Sequence, residues 1–199
     1  MRWDIINYLV DQNNYKRYLE VGVQEYNSNC AKINAEYKYA VDPAPTGYCD
    51  YIGTSDSYFA SIDDTTMFDI IFIDGLHHSE QVLKDIENSL NHLNEGGVIV
   101  VHDCLPTIEK DQVRDNHGGA WTGDVWKSIA VLKGTREDLD IKVVDHDWGC
   151  GIVKKGAQTL TEFKDIDSLD WNTYVSHRNG MLGVISFEDF INDYKNEQA

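Results

Sequence analysis

The stretch FDIIFIDGLHH, residues 68–78, decides the fold. Its apolar centre, Ile70-Ile71-Phe72-Ile73, lacks the alternation of a half-solvated strand, so it reads as a strand covered on both faces, as in a parallel sheet. The stretch GGVIVVHD, residues 96–103, repeats the pattern through Val98, Ile99, Val100 and Val101. Both runs stop abruptly in ionisable groups: Asp74 and His77 in the first, His102 and Asp103 in the second. Ligands of open α/β sheets bind outside the carboxyl ends of the strands, so these four side chains are expected to meet at one rim.

On the amino-terminal side, Ile5, Ile6, Leu9 and Val10 recur at helical spacing and predict a short amphipathic helix. A first strand over residues 18–22 ends in Glu20-Val21-Gly22, a helix is expected over residues 28–37, and a second strand over residues 37–43 closes on Asp42-Pro43. A short third strand, residues 51–54, precedes a helix start capped by Ser55 or Asp56. After the fourth strand, Ser79 opens a helix whose stripe is Val82, Leu83, Ile86, Leu90 and Leu93, ended by Glu95-Gly96-Gly97 before the fifth strand. Strand and helix alternate, the rhythm of a parallel sheet.

Beyond Asp103, residues 105–119 read as a long polar loop over the rim, a candidate lid, followed by a helix over residues 121–132. Residues 140–147 and 150–156, joined by a turn at Trp148-Gly149, read as an antiparallel hairpin closing the sheet edge. Ser186 caps a final amphipathic helix. The expected architecture is a Rossmann-like three-layer α/β sandwich. Its mostly parallel seven-stranded sheet ends in the hairpin, in a single domain over residues 1–199 with a core at about 18–155 and a helical tail at 156–199.

Thirty-four acidic against 17 basic residues give a formal net charge of −17, which disfavours nucleic acid and anionic membrane as partners. Four scattered cysteines form no CxxC pair, so neither a disulfide framework nor a zinc knuckle is expected. No signal-peptide core or membrane-spanning run is found, and the expected location is the cytoplasm.

Five parallel strands with acidic ends, followed by a hairpin, resemble the class I S-adenosylmethionine-dependent methyltransferases over residues 18–155. The run IDGLHHSEQVLKDIENSLNHLNEGGVIVVHDCLP, residues 73–106, is most similar to the small-molecule and sugar O-methyltransferase branch that includes the cephalosporin hydroxylase-like proteins. WTGDVWK, residues 121–127, resembles glycan-cluster members of that branch. The resemblance implies that Glu20 and Gly22 meet the methionine part of S-adenosylmethionine, Asp42 the ribose, Ser55 and Asp56 the adenine, and that Asp74 also borders the cofactor. Gln24 and Tyr26 stand where this family commonly has glycine. It further implies a divalent metal, magnesium or a softer ion, on Asp74, His102 and Asp103, with histidine in place of a carboxylate favouring the softer ion. His77 and Asp74 would be the catalytic residues: either His77 is the general base toward a hydroxylated small-molecule acceptor, sugars included, or metal coordination at Asp74 and Asp103 lowers the hydroxyl pKa. Asp111, His117, Trp121 and Asp124 are expected to shape the acceptor pocket from the lid, and a homo-oligomer is compatible with the sequence.

Other readings accompany this one. Asp42, Asp74 and Asp103 have a structural alternative as helix caps or turn acceptors, and Glu20 as a structural strand residue satisfied by backbone amides. The cluster Asp74, His77, His78, His102 and Asp103 would also suit a metal-dependent hydrolase. Tyr26 at a usual glycine position suits a protein that binds a cofactor or a partner without turnover. A nicotinamide oxidoreductase ranks lower because no GxGxxG follows the first strand.

Overall fold

A computed structural model describes residues 1–197. Its elements, in chain order, are α1 (Arg2–Asn13), β1 (Arg17–Val21), β2 (Tyr37–Asp42), β3 (Tyr51–Ile52), α2 (Ser55–Phe59), β4 (Phe68–Ile73), α3 (Ser79–Asn91), β5 (Leu93–Val101), α4 (Val125–Thr135), β6 (Leu139–Asp145), β7 (Cys150–Lys155), α5 (Trp171–Leu182), β8 (Val184–Ser186) and α6 (Phe187–Glu197). They build one eight-stranded sheet in the order β3-β2-β1-β4-β5-β7-β6-β8. The first five strands run parallel, and β7 is antiparallel to both β5 and β6.

The doubly covered strands divide their side chains by parity. Leu19, Val21, Ile71, Ile73, Ile99 and Val101 face a core shared with α2, α3, α4 and α5, where Trp126, Tyr58 and Tyr174 are buried. Tyr18, Ile70, Phe72, Val98 and Val100 face the other core, under Ile5, Ile6, Leu9 and Val10 of α1 and Phe190 of α6. The same even parity leads on to Glu20, Asp74 and His102, each 2 residues past an even-numbered core position. The ring of His102 lies 5.9 Å from that of Phe72.

Several expectations change. Residues 28–37 form no α-helix: the segment holds two 3₁₀ turns, at Tyr26–Ser28 and Cys30–Lys32. The buried Asn29 is drawn inward there to hydrogen-bond Tyr18 and Glu20, tertiary contacts that override the helix propensity of the segment. Thr54, rather than Ser55 or Asp56, caps α2, its hydroxyl accepting the Ser57 N–H at 3.2 Å. Leu93 belongs to β5 and not to the helical stripe, and Glu95-Gly96-Gly97 lies inside a strand whose register to β4 shifts between Phe68 and Ile70. The hairpin does not close the sheet: β8 adds in parallel to β6, so the sheet has eight strands rather than seven.

Residues 105–119 contain one 3₁₀ turn, Glu109–Gln112, and α4 begins at Val125, later than expected. The cap on α6 is present, Ser186 Oγ accepting the Asp189 N–H at 3.0 Å. Among the described residues no helix is long and apolar enough to cross a membrane. All four cysteines are unpaired.

Candidate active site

The strand order reverses between β1 and β4, whose connections leave toward opposite sides of the sheet, and a crevice opens where they diverge. It forms a cleft of about 840 Å³, within the range of sites for small molecules and cofactors. Glu20, Gly22, Asp42, Ser55, Asp56, Asp74, His77, His102 and Asp103 all line it. The topology thus gathers residues spread over some 80 positions of sequence.

Gly22 follows β1 at φ 89°, and a Cβ there would stand 2.3 Å from the backbone oxygen of Asp74. Only glycine lets the β1 and β4 ends approach this closely. The next turn does without glycine: Gln24 itself takes φ 42°, and its N–H reaches Asp42 Oδ2 at 2.9 Å. Asp42 Oδ1 accepts from Ala44 N at 2.7 Å. Asp42 therefore fastens two loops, and each oxygen retains acceptor capacity toward the cleft. Ser55 and Asp56 open α2, where Gln81 of α3 bridges to Asp56 Oδ1 at 3.0 Å and to Ser55 Oγ at 3.4 Å.

Glu20 is buried and accepts hydrogen bonds from Tyr18 at 2.5 Å and Asn29 at 3.0 Å. Burial pushes its carboxyl up to about 7 despite those two donors. The structural alternative for this residue is realised through side chains rather than backbone amides, while the residue still borders the cleft.

The imidazole of His77 stands between two carboxylates. Its Nε2 lies 3.3 Å from Asp74 Oδ1 and its Nδ1 3.3 Å from Asp103 Oδ2. The second approach is off hydrogen-bond geometry, which leaves Nδ1 buried without a formal partner. Burial alone would lower this imidazole's proton affinity, but the carboxylates, Asp74 first, raise it above the ordinary value. Trp121 covers the ring, stacked at 4.7 Å between centroids and 14° between planes. His78 points away, its Nε2 3.1 Å from the Arg114 carbonyl oxygen.

Asp74, His102 and Asp103 each offer a ligand atom within 4.8 Å of the others. His102 Nδ1 faces Asp74 Oδ1 at 3.2 Å and Asp103 Oδ1 at 3.3 Å, while Nε2 lies 2.8 Å from the Asp147 carbonyl oxygen. With Nε2 donating its hydrogen to that carbonyl, the Nδ1 lone pair points at the two acids, the arrangement that orients a metal-ligating histidine. These residues fit a divalent cation. Without one, burial opposes the charged imidazole, but Asp74, Asp103 and Asp147 hold it well above the ordinary value. Asp74 answers in kind: burial would raise it, and His102 and His77 hold it well below the usual carboxylate range. Asp103 sits at φ 61°, an uncommon left-handed position for a residue with a side chain, next to the chemistry it borders.

Of the expected lid residues, Trp121 lines the cleft, with Asn116, Gly119 and Ala120. Asp111 and Asp124 are buried in structural work: Asp111 Oδ2 accepts from the Thr107 hydroxyl at 2.7 Å, and Asp124 Oδ1 from Ser79 N at 2.8 Å. His117 meets only carbonyls of its own loop, those of Gly118 and Lys110. The sequence reading passed over Arg2, Gln81, Asp147 and Trp148. Of these, Arg2, Gln81 and Trp148 line the cleft and Asp147 anchors His102. Nothing local marks them, because each acquires its place from tertiary packing.

Residues 9–104 match a family model described as a methyltransferase domain. No curated protein matches the sequence. Among solved structures, a Staphylococcus aureus protein assigned as a caffeoyl-CoA O-methyltransferase superposes with a TM-score of 0.59 at 18% identity, covering 78% of this chain and 83% of its own. The O-methyltransferase TomG of Streptomyces achromogenes, involved in tomaymycin synthesis and solved with S-adenosylmethionine, gives 0.56 at 14% identity over 78% and 80%. A Bacillus cereus O-methyltransferase in complex with S-adenosylhomocysteine gives 0.56 at 12% identity over 78% and 80%. Residues 9–104 are thus similar to a methyltransferase domain, and the sheet as a whole has the fold of these O-methyltransferase structures.

Proposed function

We propose that the protein transfers a methyl group from S-adenosylmethionine to a hydroxyl oxygen of a small molecule, sugars among the acceptors. The observation that carries this reading is the His77 imidazole held 3.3 Å from both Asp74 and Asp103 in the cleft that Gly22 and Asp42 also line. Bound there, the cofactor supplies an electrophilic sulfonium methyl. Asp42 accepts hydrogen bonds from ribose hydroxyls, Ser55 and Asp56 border the adenine, and Glu20 attracts the ammonium end. Asp74 and Asp103 fix the ring of His77, so that one nitrogen takes the acceptor's hydroxyl proton as the oxygen becomes nucleophilic. Trp121 limits water on that side of the ring. Asp74, His102 and Asp103 would hold a divalent cation, which lowers the pKa of a coordinated hydroxyl.

Calorimetric titration with S-adenosylmethionine and S-adenosylhomocysteine tests the reading first, followed by transfer of a labelled methyl group to a panel of hydroxylated small molecules. Absence of cofactor binding at millimolar concentration, with and without divalent metal, overturns it. With an acceptor in hand, His77→Ala is expected to keep cofactor affinity and to lose methyl transfer by about a hundredfold or more. Undiminished transfer removes His77 from the role of base. Transfer that survives chelation removes the metal.

A further inference from the structure

Among the described residues, the cleft is lined by six carboxylates, Glu20, Glu25, Asp42, Asp56, Asp74 and Asp103, and by a single Lys or Arg, Arg2. A lone guanidinium among so many acids requires an explanation, since neutralising Asp74 is poorly served by its geometry. Arg2 Nη2 lies 3.8 Å from Asp74 Oδ2 and Nη1 3.6 Å from Asp147 Oδ2. Both exceed the roughly 2.7–2.9 Å of a charge-assisted hydrogen bond. The Nε atom is buried and has no hydrogen-bond partner among the described residues. A guanidinium carries five N–H donors in a planar fork, and the edge formed by Nε and one Nη is a shape that a carboxylate accepts with two parallel bonds.

The position of Arg2 is built rather than accidental. Ile5, Ile6, Leu9 and Val10 bury one stripe of α1 against the sheet, and the Arg2 N–H itself donates to Asp147 Oδ2 at 2.7 Å. The first turn of α1 is thereby pinned above the ends of β4 and β5, on the face that carries Glu20, Asp74 and His102. Arg2 is near enough to Glu20 to act electrostatically on its carboxyl. An acid suited to an ammonium and a base with an idle donor edge therefore stand together, the recognition pattern of an amino acid zwitterion.

We propose that Arg2 binds the carboxylate of the cofactor's aminoacyl arm, while Glu20 faces its ammonium. This rests on the methyl-transfer reading, in which adenosine runs from Ser55 and Asp56 past Asp42 to Gly22 and brings that arm to the Asp74 end of the cleft. The competing source of the same chemistry is a carboxylate on the acceptor.

The two sources are separated by titrating S-adenosylhomocysteine and its decarboxylated analogue, which keeps the ammonium, into wild-type protein, Arg2→Met and Arg2→Lys. Arg2→Met is expected to weaken S-adenosylhomocysteine by roughly ten- to a hundredfold, the loss of a charged, paired hydrogen bond. The analogue should change by less than about twofold, and Arg2→Lys should fall between. Unchanged affinity of Arg2→Met for S-adenosylhomocysteine assigns any carboxylate to the acceptor and overturns the proposal. Equal losses for both ligands make Arg2 a structural residue and overturn it too. Should Arg2→Met fail to fold, Arg2→Lys carries the same comparison, a selective loss supporting the proposal and an indiscriminate one or none defeating it. Wild-type protein that binds neither ligand overturns the methyl-transfer reading and this proposal together, whereas every other adverse outcome defeats this proposal alone.

Discussion

Glu20 carries two demands that pull against each other: a place beside the ligand cleft and burial on the α1 face of the sheet. Tyr18 and Asn29 each donate to Oε2, yet burial still pushes the carboxyl up to about 7. The folded pKa thus lies above the unfolded value, so between about pH 4.5 and pH 7 the unfolded chain releases a proton that the folded one keeps. Stability falls across that window and is level above it, by at most about 3 kcal/mol for such a shift. Glu20→Gln removes the titration while keeping the shape. It is expected to match wild type at pH 4.5 and to exceed it at pH 8, as denaturant melts at both pH values would show. A parallel dependence in the two proteins would locate the pH sensitivity elsewhere.

At the scale of elements, the segment between β5 and α4 is docked onto the histidine it covers. Trp121 stacks on His77, and its Nε1 donates to the Val113 carbonyl at 2.6 Å. Arg114 pairs with Asp124 at 2.9 Å and with Glu80 of α3, which holds the Glu80 carboxyl down to about 2. Gly123, at φ 57°, sits so tightly that a Cβ would stand 1.9 Å from the His77 carbonyl oxygen. Gly123→Ala is therefore expected to lift residues 113–124 from α3, unstack Trp121 and speed proteolytic cutting in that segment severalfold. Cofactor affinity should change little, because Gly22, Asp42, Ser55 and Asp56 belong to other elements. Trp fluorescence and limited proteolysis provide the check, and an unaltered cutting rate would show that the segment is held by other contacts.

The whole molecule explains what the sequence could and could not disclose. Residues 70–73 and 98–101 were legible as central strands because burial on both faces abolishes alternation, and Asp74, His77, His102 and Asp103 were legible as a rim because parallel strands end together. The segment 23–36 was not, since Asn29 turns inward to serve Glu20, a long-range demand that helix propensity does not encode. Nor was Arg2, whose place depends on how α1 lies across the sheet. Strand β8 went unread because three residues after the left-handed Gly183 carry no period. Yet the α6 stripe that follows was plain, and it makes the eighth strand matter: Phe187, Phe190, Ile191 and Tyr194 recur at i, i+3, i+4 and i+7. Phe190 is buried, its ring 5.8 Å from Tyr8 of α1 and 5.9 Å from Tyr194, while the Tyr8 hydroxyl donates to the Ile191 carbonyl at 3.2 Å. The carboxyl-terminal helix thus shares one core with the amino-terminal one. Phe190→Ala should cost about 3–5 kcal/mol of unfolding free energy by leaving a cavity in that core. Asn192→Ala, on the exposed side of the same helix, should stay within about 0.5 kcal/mol of wild type. Equilibrium denaturation of the two variants decides the matter: similar, small losses would mean that α6 contributes no more than a surface helix, whereas a large gap places residues 187–194 within the cooperative fold that fixes α1, and with it Arg2, over the cleft.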